Sequence, residues 1–195
     1  MIDPRLERWL EALVATPGLT AIADPAEARR VHLDGSLAAL AAVRAGGGPV
    51  IDVGSGGGAP GLPLAAALPD TEVTLLEASR RKCDFLERAA RDFANVRVVW
   101  GRAEEQLPDE YAVAVAKALA RPPVAVELLL PLVREGGQAL VFHGPSGDAD
   151  AVRRVAERLN GAAEDAGPYY VVRKTGPTPP GFPRRPGIAQ KRPLA

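Results

Sequence analysis

The stretch from Pro49 to Leu64 constrains the fold of this chain more than any other, and its sequence is PVIDVGSGGGAPGLPL. Its first part, Val50–Val53, has the composition of a short buried strand. Gly54–Gly58 then form a loop without bulky side chains, and Pro60 is typical of the first turn of a helix. A strand, a glycine loop and a helix in this order bring backbone N–H groups and a helix N-terminus close to a bound ligand. The stretch therefore predicts a site for a nucleotide-like cofactor.

Short apolar runs alternate with helical stretches after Gly46–Gly48, which is typical of a parallel sheet with helical crossovers. The predicted strands are Val50–Val53, Glu72–Leu76, Val96–Trp100, Ala112–Ala116, Ala139–Phe142 and Tyr169–Val172. The predicted helices fall near residues 60–68, 79–94, 122–134 and 148–160. We therefore expect an α/β fold, with a mostly parallel sheet and helices on both faces.

Two helices are predicted ahead of this sheet, because Asp3-Pro4 and Asp24-Pro25 each place an N-cap acceptor before a proline. Helical spacing predicts a buried face on each, formed by Leu6, Trp9, Leu10 and Leu13 and by Leu33, Leu37, Leu40 and Ala41. His32 and Asp34 lie beside the second face and are interpreted as polar residues at the edge of a packed helix face. The predicted organisation is an N-terminal helical extension (1–45), a cofactor-binding domain (46–175) and a basic, proline-rich tail (176–195).

The composition excludes several classes of protein. The chain has 195 residues, 47% of them hydrophobic, which is about one domain with a full core. No run is long and apolar enough to span a membrane, and no histidine or cysteine spacing is typical of zinc. The single cysteine, Cys83, excludes an internal disulfide framework and shares a helix face with Leu86 and Phe93, so we interpret it as a core residue. We expect a cytoplasmic protein without a metal.

The charge is uneven, although the formal net charge is zero. From Ala166 onwards there are six basic residues and no acidic residue, which leaves 18 basic against 24 acidic residues upstream. The six are Arg173, Lys174, Arg184, Arg185, Lys191 and Arg192. A basic tail on a mildly acidic body favours contact with phosphates at one edge, and a disordered solvated tail is the alternative.

The glycine loop alone does not distinguish a dinucleotide from S-adenosylmethionine, since Ala59 at its third position suits both. Three features favour S-adenosylmethionine. Asp52 precedes the first glycine by two residues, where a carboxylate engages a cationic amino-acid group directly or through water. Glu77 ends the second strand, placed to accept hydrogen bonds from ribose hydroxyls. Gly101–Glu105 follows the third strand, where a methyltransferase fold receives adenine.

Several segments together resemble the small-subunit (16S) rRNA methyltransferase G family, also called the glucose-inhibited division protein B family. They are IDVGSGGGAPGLPL, LLEASRRKCDFL, GRAEE, LPLVREGG and the ending PTPPGFPRRPGIAQKRPL, with Leu19-Thr20, Asp24-Pro25 and Leu33-Asp34 upstream. The resemblance covers most of the chain and implies a Rossmann-like class I methyltransferase fold. It also implies methyl transfer from S-adenosylmethionine to guanine N7 of small-subunit rRNA, with the rRNA or the 30S particle as partner. We expect a monomeric enzyme.

The candidate site residues follow from the loop, the strand ends and this resemblance. The cofactor set is Asp52, Gly54, Ser55, Gly56, Ala59, Gly61, Glu77, Ala78, Arg102, Ala103, Glu104 and Lys117. Lys117 and His143 are the candidate catalytic residues, at the ends of the fourth and fifth predicted strands. The candidate RNA-binding residues are Arg184, Arg185, Lys191 and Arg192. We expect the tail to act on RNA without affecting cofactor affinity.

The substrate side departs from the family pattern. Ala116-Lys117-Ala118 stands where the family usually has Ser-Arg-Ala, so the charge is kept and the planar fork is lost. His143 replaces a lysine, Pro168 stands where an arginine is common, and the histidine near the second helix is displaced by one position. The alternatives are a catalytically silent or retargeted cofactor-binding module, or a methyltransferase acting on another RNA or a small molecule.

Other methyl acceptors rank below guanine N7. Methylation of exocyclic amines commonly uses an Asn/Asp-Pro-Pro-aromatic turn, and Arg121-Pro122-Pro123-Val124 lacks both the acceptor and the aromatic side chain. Methylation of pyrimidine C5 requires a nucleophilic cysteine, whereas Cys83 lies on a helix face.

Overall fold

The computed structural model describes residues 3–144 and 147–195. Residues 1 and 2 of the predicted N-terminal extension and residues 145 and 146 of the predicted central domain lie outside the described residues. The strands are β1 (Val50–Val53), β2 (Val73–Glu77), β3 (Val96–Trp100), β4 (Tyr111–Ala116), β5 (Val133–Phe142), β6 (Gly161–Asp165) and β7 (Tyr169–Lys174). The helices are α1 (Pro4–Ala15), α2 (Pro25–Ala28), α3 (Gly35–Leu37), α4 (Leu40–Gly46), α5 (Gly61–Ala67), α6 (Arg80–Ala89), α7 (Pro122–Leu129), α8 (Ala149–Arg158) and α9 (Ile188–Lys191).

The strands form one sheet in the order β3-β2-β1-β4-β5-β7-β6. All pairings from β3 to β5 are parallel, and β7 runs antiparallel to both β5 and β6. The predicted mostly parallel α/β sheet is therefore confirmed. Its strand order reverses between β1 and β4, and ligands of such sheets bind where the carboxyl ends of the strands diverge at this point.

Helices cover both faces of the sheet, as the sequence predicts. On one face, the core contains Trp9 of α1, Leu64 of α5 and Phe85 of α6. On the other, it contains Val126 of α7 and Val155 of α8. Successive residues of β4 alternate between these layers, since Val113 and Val115 belong to the first and Ala114 and Ala116 to the second. The central strands β1, β2 and β4 are thus buried on both sides, which accounts for their continuous apolar runs in the sequence.

The N-terminal helices begin where the sequence predicts. The Asp3 carboxylate accepts from Arg5 N at 2.9 Å and the Asp24 carboxylate from Glu27 N at 2.7 Å, so both N-caps are confirmed. Beyond α2, the single predicted helix is instead a π-helical segment (Arg29–Asp34) followed by α3 and α4. The altered turn rotates the buried face, so that Leu33, Ser36, Ala39 and Val43 are buried while Ala41 is exposed. The prediction that Ala41 belongs to the core was wrong.

Two boundaries near β5 differ from the prediction. The helix expected to reach residue 134 ends at Leu129, because Pro131 lies in a 3₁₀ turn that leads directly into β5. β5 then starts at Val133 and bulges before Gln138, where its register with β4 shifts. The sequence analysis also missed β6, a mostly exposed edge strand that contains acidic residues.

Candidate functional site at the carboxyl ends of the strands

Three neighbouring cavities open at the point where the strand order reverses. The tail-side cavity, about 240 Å³, lies between the ends of β1 and β2 and the C-terminal tail. The loop cavity, about 230 Å³, lies over the glycine loop, and the β5-side cavity, about 500 Å³, lies between the π-helical segment and the end of β5. Gly54 lines both the tail-side and the loop cavity, and Lys117 lines both the loop and the β5-side cavity. The arrangement has the form of one divided cleft.

The glycine loop follows β1 and turns sharply at Gly54, whose φ of +72° strains any other L-residue. A Cβ on Gly54 would also lie 2.5 Å from Leu119 Cδ1. At Gly61 the backbone passes so closely over β2 that a Cβ would meet Leu75 Cδ2. The N-terminal helix α1 holds the loop from outside, since Trp9 Nε1 donates a hydrogen bond of 2.7 Å to Gly57 O. These contacts fix the conformation of the loop.

Glu77 ends β2 and its carboxylate faces the tail-side cavity. Oε2 accepts from Gly56 N at 2.9 Å and Oε1 accepts from Ser79 N at 2.8 Å. These two bonds orient the carboxylate and leave each oxygen with further acceptor capacity. A carboxylate held in this way can accept hydrogen bonds from two hydroxyl groups on the same side.

Asp52 lies beneath the loop cavity, with only 1% of its surface exposed. Its Oδ2 accepts from Gly61 N at 3.0 Å, and across residues 3–144 and 147–195 its buried Oδ1 has no hydrogen-bond partner. Burial raises the pKa of this carboxyl to about 7, although the bond from Gly61 N–H opposes the rise. Such a group favours a nearby cation, because a positive charge restores its ionised form. Asp52 and Gly61 thus support the cleft from below, whereas the other predicted cofactor residues line it.

The segment after β3 forms the far side of the tail-side cavity, which Ala78, Arg102, Ala103 and Glu104 help to line. Its short 3₁₀ turn is closed by Glu105, whose Oε2 accepts from Arg102 N at 3.1 Å. Glu104 is directed to the tail, where its Oε1 accepts from Gly187 N at 2.8 Å. The cavity is thus enclosed by the glycine loop, the end of β2, this turn and the tail.

Lys117 follows β4 and stands between the loop and β5-side cavities. Its Nζ donates to the Val31 carbonyl of the π-helical segment, which ties the N-terminal extension to the sheet. Burial lowers the pKa of Lys117, and the charge of Asp52 opposes this. Lysine Nζ has three donors, so two remain for other acceptors.

Ala118 and His32 are among the residues of the cleft that the sequence analysis missed. Ala118 lines all three cavities and adopts a φ of +57°, a conformation that costs energy for alanine and is common at functional sites. Its position directly after a strand end was the available signal. His32 lines the loop cavity and shares a 2.9 Å hydrogen bond with Thr20 Oγ1. The interpretation of His32 as a polar residue at the edge of a packed helix face therefore left out its place in the cleft. Burial, and secondarily the charge of Lys117, lowers the pKa of His32.

His143 follows β5 and lines the β5-side cavity together with Phe142 and Pro168. Its ring stacks on Tyr170, with centroids 4.0 Å apart. Nδ1 lies 2.8 Å from Gly144 O, and Nε2 lies 3.4 Å from Asp165 Oδ1 without hydrogen-bond geometry. Arg30, Val31 and Gly35 form the opposite wall, so this cavity joins the N-terminal extension to the end of β5.

The tail cations are of two kinds. Arg184 points inward, where its Nε and Nη2 donate to the Glu127 carboxylate at 2.6 and 2.7 Å, and Nη2 also donates to Arg192 O. Arg185, Lys191 and Arg192 are exposed. Lys174, counted with them by charge, is buried and donates to Asp109, Thr178 and the carbonyls of Leu130 and Val133. Only part of the basic excess thus faces solvent.

Cys83 is buried beside the site, and its Sγ donates to Glu77 O at 3.2 Å. Burial raises the pKa of the thiol, so the neutral form prevails, and the interpretation of Cys83 as a core residue is confirmed. Among the described residues, no group of three or more His, Cys, Asp or Glu side chains is placed to hold a metal ion. Within the same parts of the chain, no helix has both the length and the apolar character needed to cross a membrane.

The sequence matches known proteins over most of its length. Residues 5–162 match the family model of rRNA small subunit methyltransferase G. A ribosomal RNA small subunit methyltransferase G of Moorella thermoacetica is 36% identical over 90% of this chain and 82% of its own length. The protein of the same name from Symbiobacterium thermophilum is 36% identical over 97% of this chain and 86% of its own length.

Solved structures share the fold at much lower identity. A protein described as an O-methyltransferase from Klebsiella pneumoniae is 17% identical, with a TM-score of 0.59 over 90% of this chain and 92% of that one. A protein described as an S-adenosyl-L-methionine-dependent methyltransferase from Methanococcus maripaludis is 16% identical, with a TM-score of 0.56 over 77% of this chain and 90% of that one. These likenesses confirm the predicted Rossmann-like class I methyltransferase fold.

Proposed function

Since this chain belongs to the rRNA small subunit methyltransferase G family and is an S-adenosylmethionine-dependent methyltransferase, we propose that it methylates N7 of a guanine in small-subunit ribosomal RNA. The observation that supports this most is that cavities suited to a cofactor and a base meet at Lys117 and Ala118. In this assignment the cofactor occupies the tail-side and loop cavities, and the base enters the β5-side cavity.

The polar groups of the first two cavities fit S-adenosylmethionine. When bound, this cofactor supplies a methyl group on a positively charged sulfur. Glu77 accepts the two ribose hydroxyls, because its carboxylate is already oriented by two backbone donors. The orphaned Oδ1 of Asp52 suits the positive charge of the amino-acid part. Gly54, Ser55, Gly56 and Ala59 bring short side chains and backbone to the same surface, and Ala78, Arg102, Ala103 and Glu104 surround the adenine.

Lys117 acts as a fixed positive charge between cofactor and base. Guanine N7 has an in-plane lone pair, so no residue has to remove a proton from it. Positioning and exclusion of water then supply most of the rate enhancement. With one donor on Val31 O, Lys117 retains donors for guanine O6, an RNA phosphate or the cofactor carboxylate. His143, stacked on Tyr170, forms a wall of the base cavity and transfers no proton in this proposal.

The exposed tail cations contact RNA phosphates in this proposal, and Arg184 does not. Arg185, Lys191 and Arg192 are the available charges, whereas the Arg184 guanidinium is held by Glu127. Replacing the three exposed cations by alanine should weaken RNA binding and flatten its salt dependence, because each lost phosphate contact lowers the slope. Equal slopes for the variant and the parent protein would contradict this role. The matched control replaces Arg153, Arg154 and Arg158 of α8.

The proposed activity is tested by transfer of labelled methyl groups to small-subunit particles and to the free RNA. We expect label in RNA and recovery of N7-methylguanine after digestion. A Gly54→Arg variant, which lacks the cofactor site, provides the background. Label in another base would change the target, and binding without transfer to any RNA would support a silent cofactor-binding module. The proposal also places the enzyme in the cytoplasm as a monomer. The molar mass of the active protein in solution tests the monomeric state.

A further inference from the structure

The C-terminal tail forms one wall of the tail-side cavity. Gly187, Ala189 and Gln190 line it, on the side away from the glycine loop residue Gly54. Ala189 is buried in the core beside α7, whereas Gln190 is exposed at the rim of the cavity. These residues lie beyond residue 162, where the match to the family model ends. They therefore enclose the cavity although they stand far from every cofactor motif in the sequence.

Two polar contacts hold this wall in place. Gly187 N donates to Glu104 Oε1, which ties the tail to the turn after β3. Arg184 makes a two-pronged pair with Glu127 of α7, whose side chain is only 3% exposed. The same guanidinium donates to Arg192 O at 2.9 Å, so the residue that follows α9 is held by the same anchor. Planar pairs of this type fix orientation as well as distance.

We infer that the closing segment, residues Arg184–Gln190, is part of the cofactor site and covers the adenosine half of S-adenosylmethionine. Arg184 is its positioning residue and acts through Glu127. The inference rests on the proposed assignment of the tail-side cavity to adenosine. It departs from the expectation that the tail affects RNA alone. A ligand that contacts the closing segment only when the segment is packed against α7 must stabilise this packed position. Cofactor binding and the ordering of the tail are therefore linked.

The first test releases the segment without leaving a buried charge alone. The double variant Arg184→Ala/Glu127→Gln removes both ions, because a single Arg184→Ala change strands Glu127 and destabilises the fold for an unrelated reason. By calorimetry with S-adenosylhomocysteine, we expect affinity to fall about tenfold, the scale of one or two lost contacts. Arg153→Ala/Asp150→Asn removes an exposed ion pair of α8 outside all three cavities, and as the matched control it should leave affinity unchanged. A Gln190→Ala variant with the anchor intact should lose about threefold, as expected for one rim contact.

The second test measures the linkage directly in the unmodified protein. Trypsin cleaves after Arg184 and Lys191 when the segment is released, whereas Pro186 blocks cleavage after Arg185. Saturating S-adenosylhomocysteine should slow these cleavages at least fivefold, while cleavage after Arg91, exposed in the turn after α6 and outside all three cavities, stays constant. A structural anchor without cofactor contact would not give this ligand-dependent protection.

The inference is overturned if the double variant binds S-adenosylhomocysteine as tightly as the parent protein and the ligand gives no protection. No RNA is present in either test, so this outcome leaves the proposed RNA target unaffected. Conversely, a cofactor-dependent tail in a protein that methylates no RNA would support the inference and contradict the proposed function.

Discussion

The cofactor half of the cleft and the substrate half differ in how their polar groups are held. In the tail-side and loop cavities, Glu77 and Asp52 accept hydrogen bonds from backbone N–H groups at most 21 residues away in the sequence. In the β5-side cavity, Lys117 reaches Val31 O across 86 residues, and His143 rests on Tyr170 by ring stacking. The carboxylates of the first half are thus held by residues close in the sequence, whereas its closing segment and the polar groups of the second half depend on distant segments.

This difference indicates where substitutions can accumulate. A carboxylate that accepts two backbone N–H bonds cannot be replaced without leaving buried donors unsatisfied. A cation held through a single carbonyl, or a ring held by stacking, admits another side chain of similar size. The departures from the family pattern at Lys117, His143 and Pro168 all line the β5-side cavity, in agreement with this expectation.

The largest expected effect comes from blocking the glycine turn. A Gly54→Arg substitution should abolish measurable S-adenosylhomocysteine binding, a loss of more than about 100-fold, because a Cβ there meets Leu119 and the long side chain fills two cavities. Calorimetry measures it. Gly47→Arg is the control, since Gly47 also has a positive φ of 58° but has no atom within 4 Å of an added Cβ. Unchanged affinity in Gly54→Arg would refute the location of the cofactor site.

The next effect tests the fixed carboxylate of the cofactor half. Glu77→Gln should weaken S-adenosylhomocysteine binding by about 30-fold, because the amide nitrogen faces a backbone donor where the carboxylate accepted. Glu72→Gln, an exposed acid just before the same strand, provides the matched control. Equal losses in both variants would show that charge near β2 matters and that the hydrogen-bond geometry does not.

The buried Asp52 predicts a pH dependence. With a pKa of about 7, it is mostly neutral at pH 6 and mostly ionised at pH 8, so affinity for the cationic cofactor should rise roughly tenfold across this interval. The stability of the ligand-free protein should change in the opposite direction. Because the folded pKa exceeds the ordinary value of 3.8, this group contributes stability below pH 4 that is lost as the pH rises towards 7.

Asp52→Asn separates this carboxyl from other titrating groups. The variant should lose the rise of cofactor affinity with pH, measured by calorimetry at several pH values. It should also lose the fall of stability with pH, measured by chemical denaturation at the same pH values. An unaltered pH profile of affinity in Asp52→Asn would assign the dependence elsewhere and leave Asp52 as a support for the loop.

The smallest effects are expected in the substrate half. His143→Phe should retain RNA methylation within about twofold, because the stacked ring on Tyr170 is kept, whereas His143→Ala should lower the rate about fivefold. Cofactor affinity should be the same in both variants. A large loss in His143→Phe would indicate that a ring nitrogen takes part in the reaction.

The periodicity of the sequence was sufficient for the sheet and most of its helices, because strands buried on both faces are continuous apolar runs. It failed at the π-helical segment, at the end of α7 and at β6. Each of these depends on a local exception: an altered helical turn, a 3₁₀ turn containing Pro131 and an edge strand with one exposed side. For the site, the strand-end positions of Asp52, Glu77 and Lys117 were predictable, since parallel strands end at one edge.

The sequence by itself determined the family, the cofactor and the cofactor loop, because a strand, glycine turn and helix are encoded within one short stretch. Only the tertiary structure decided which charges are available. In the sequence, Lys174, Arg184, Arg185 and Lys191 all count equally as basic residues of the tail region. In the structure, Lys174 pairs with Asp109 and Arg184 pairs with Glu127. Likewise, Ala118, His32 and the closing segment reach the cleft through packing between distant segments. Contacts of that kind depend on how the layers dock, which no local pattern records.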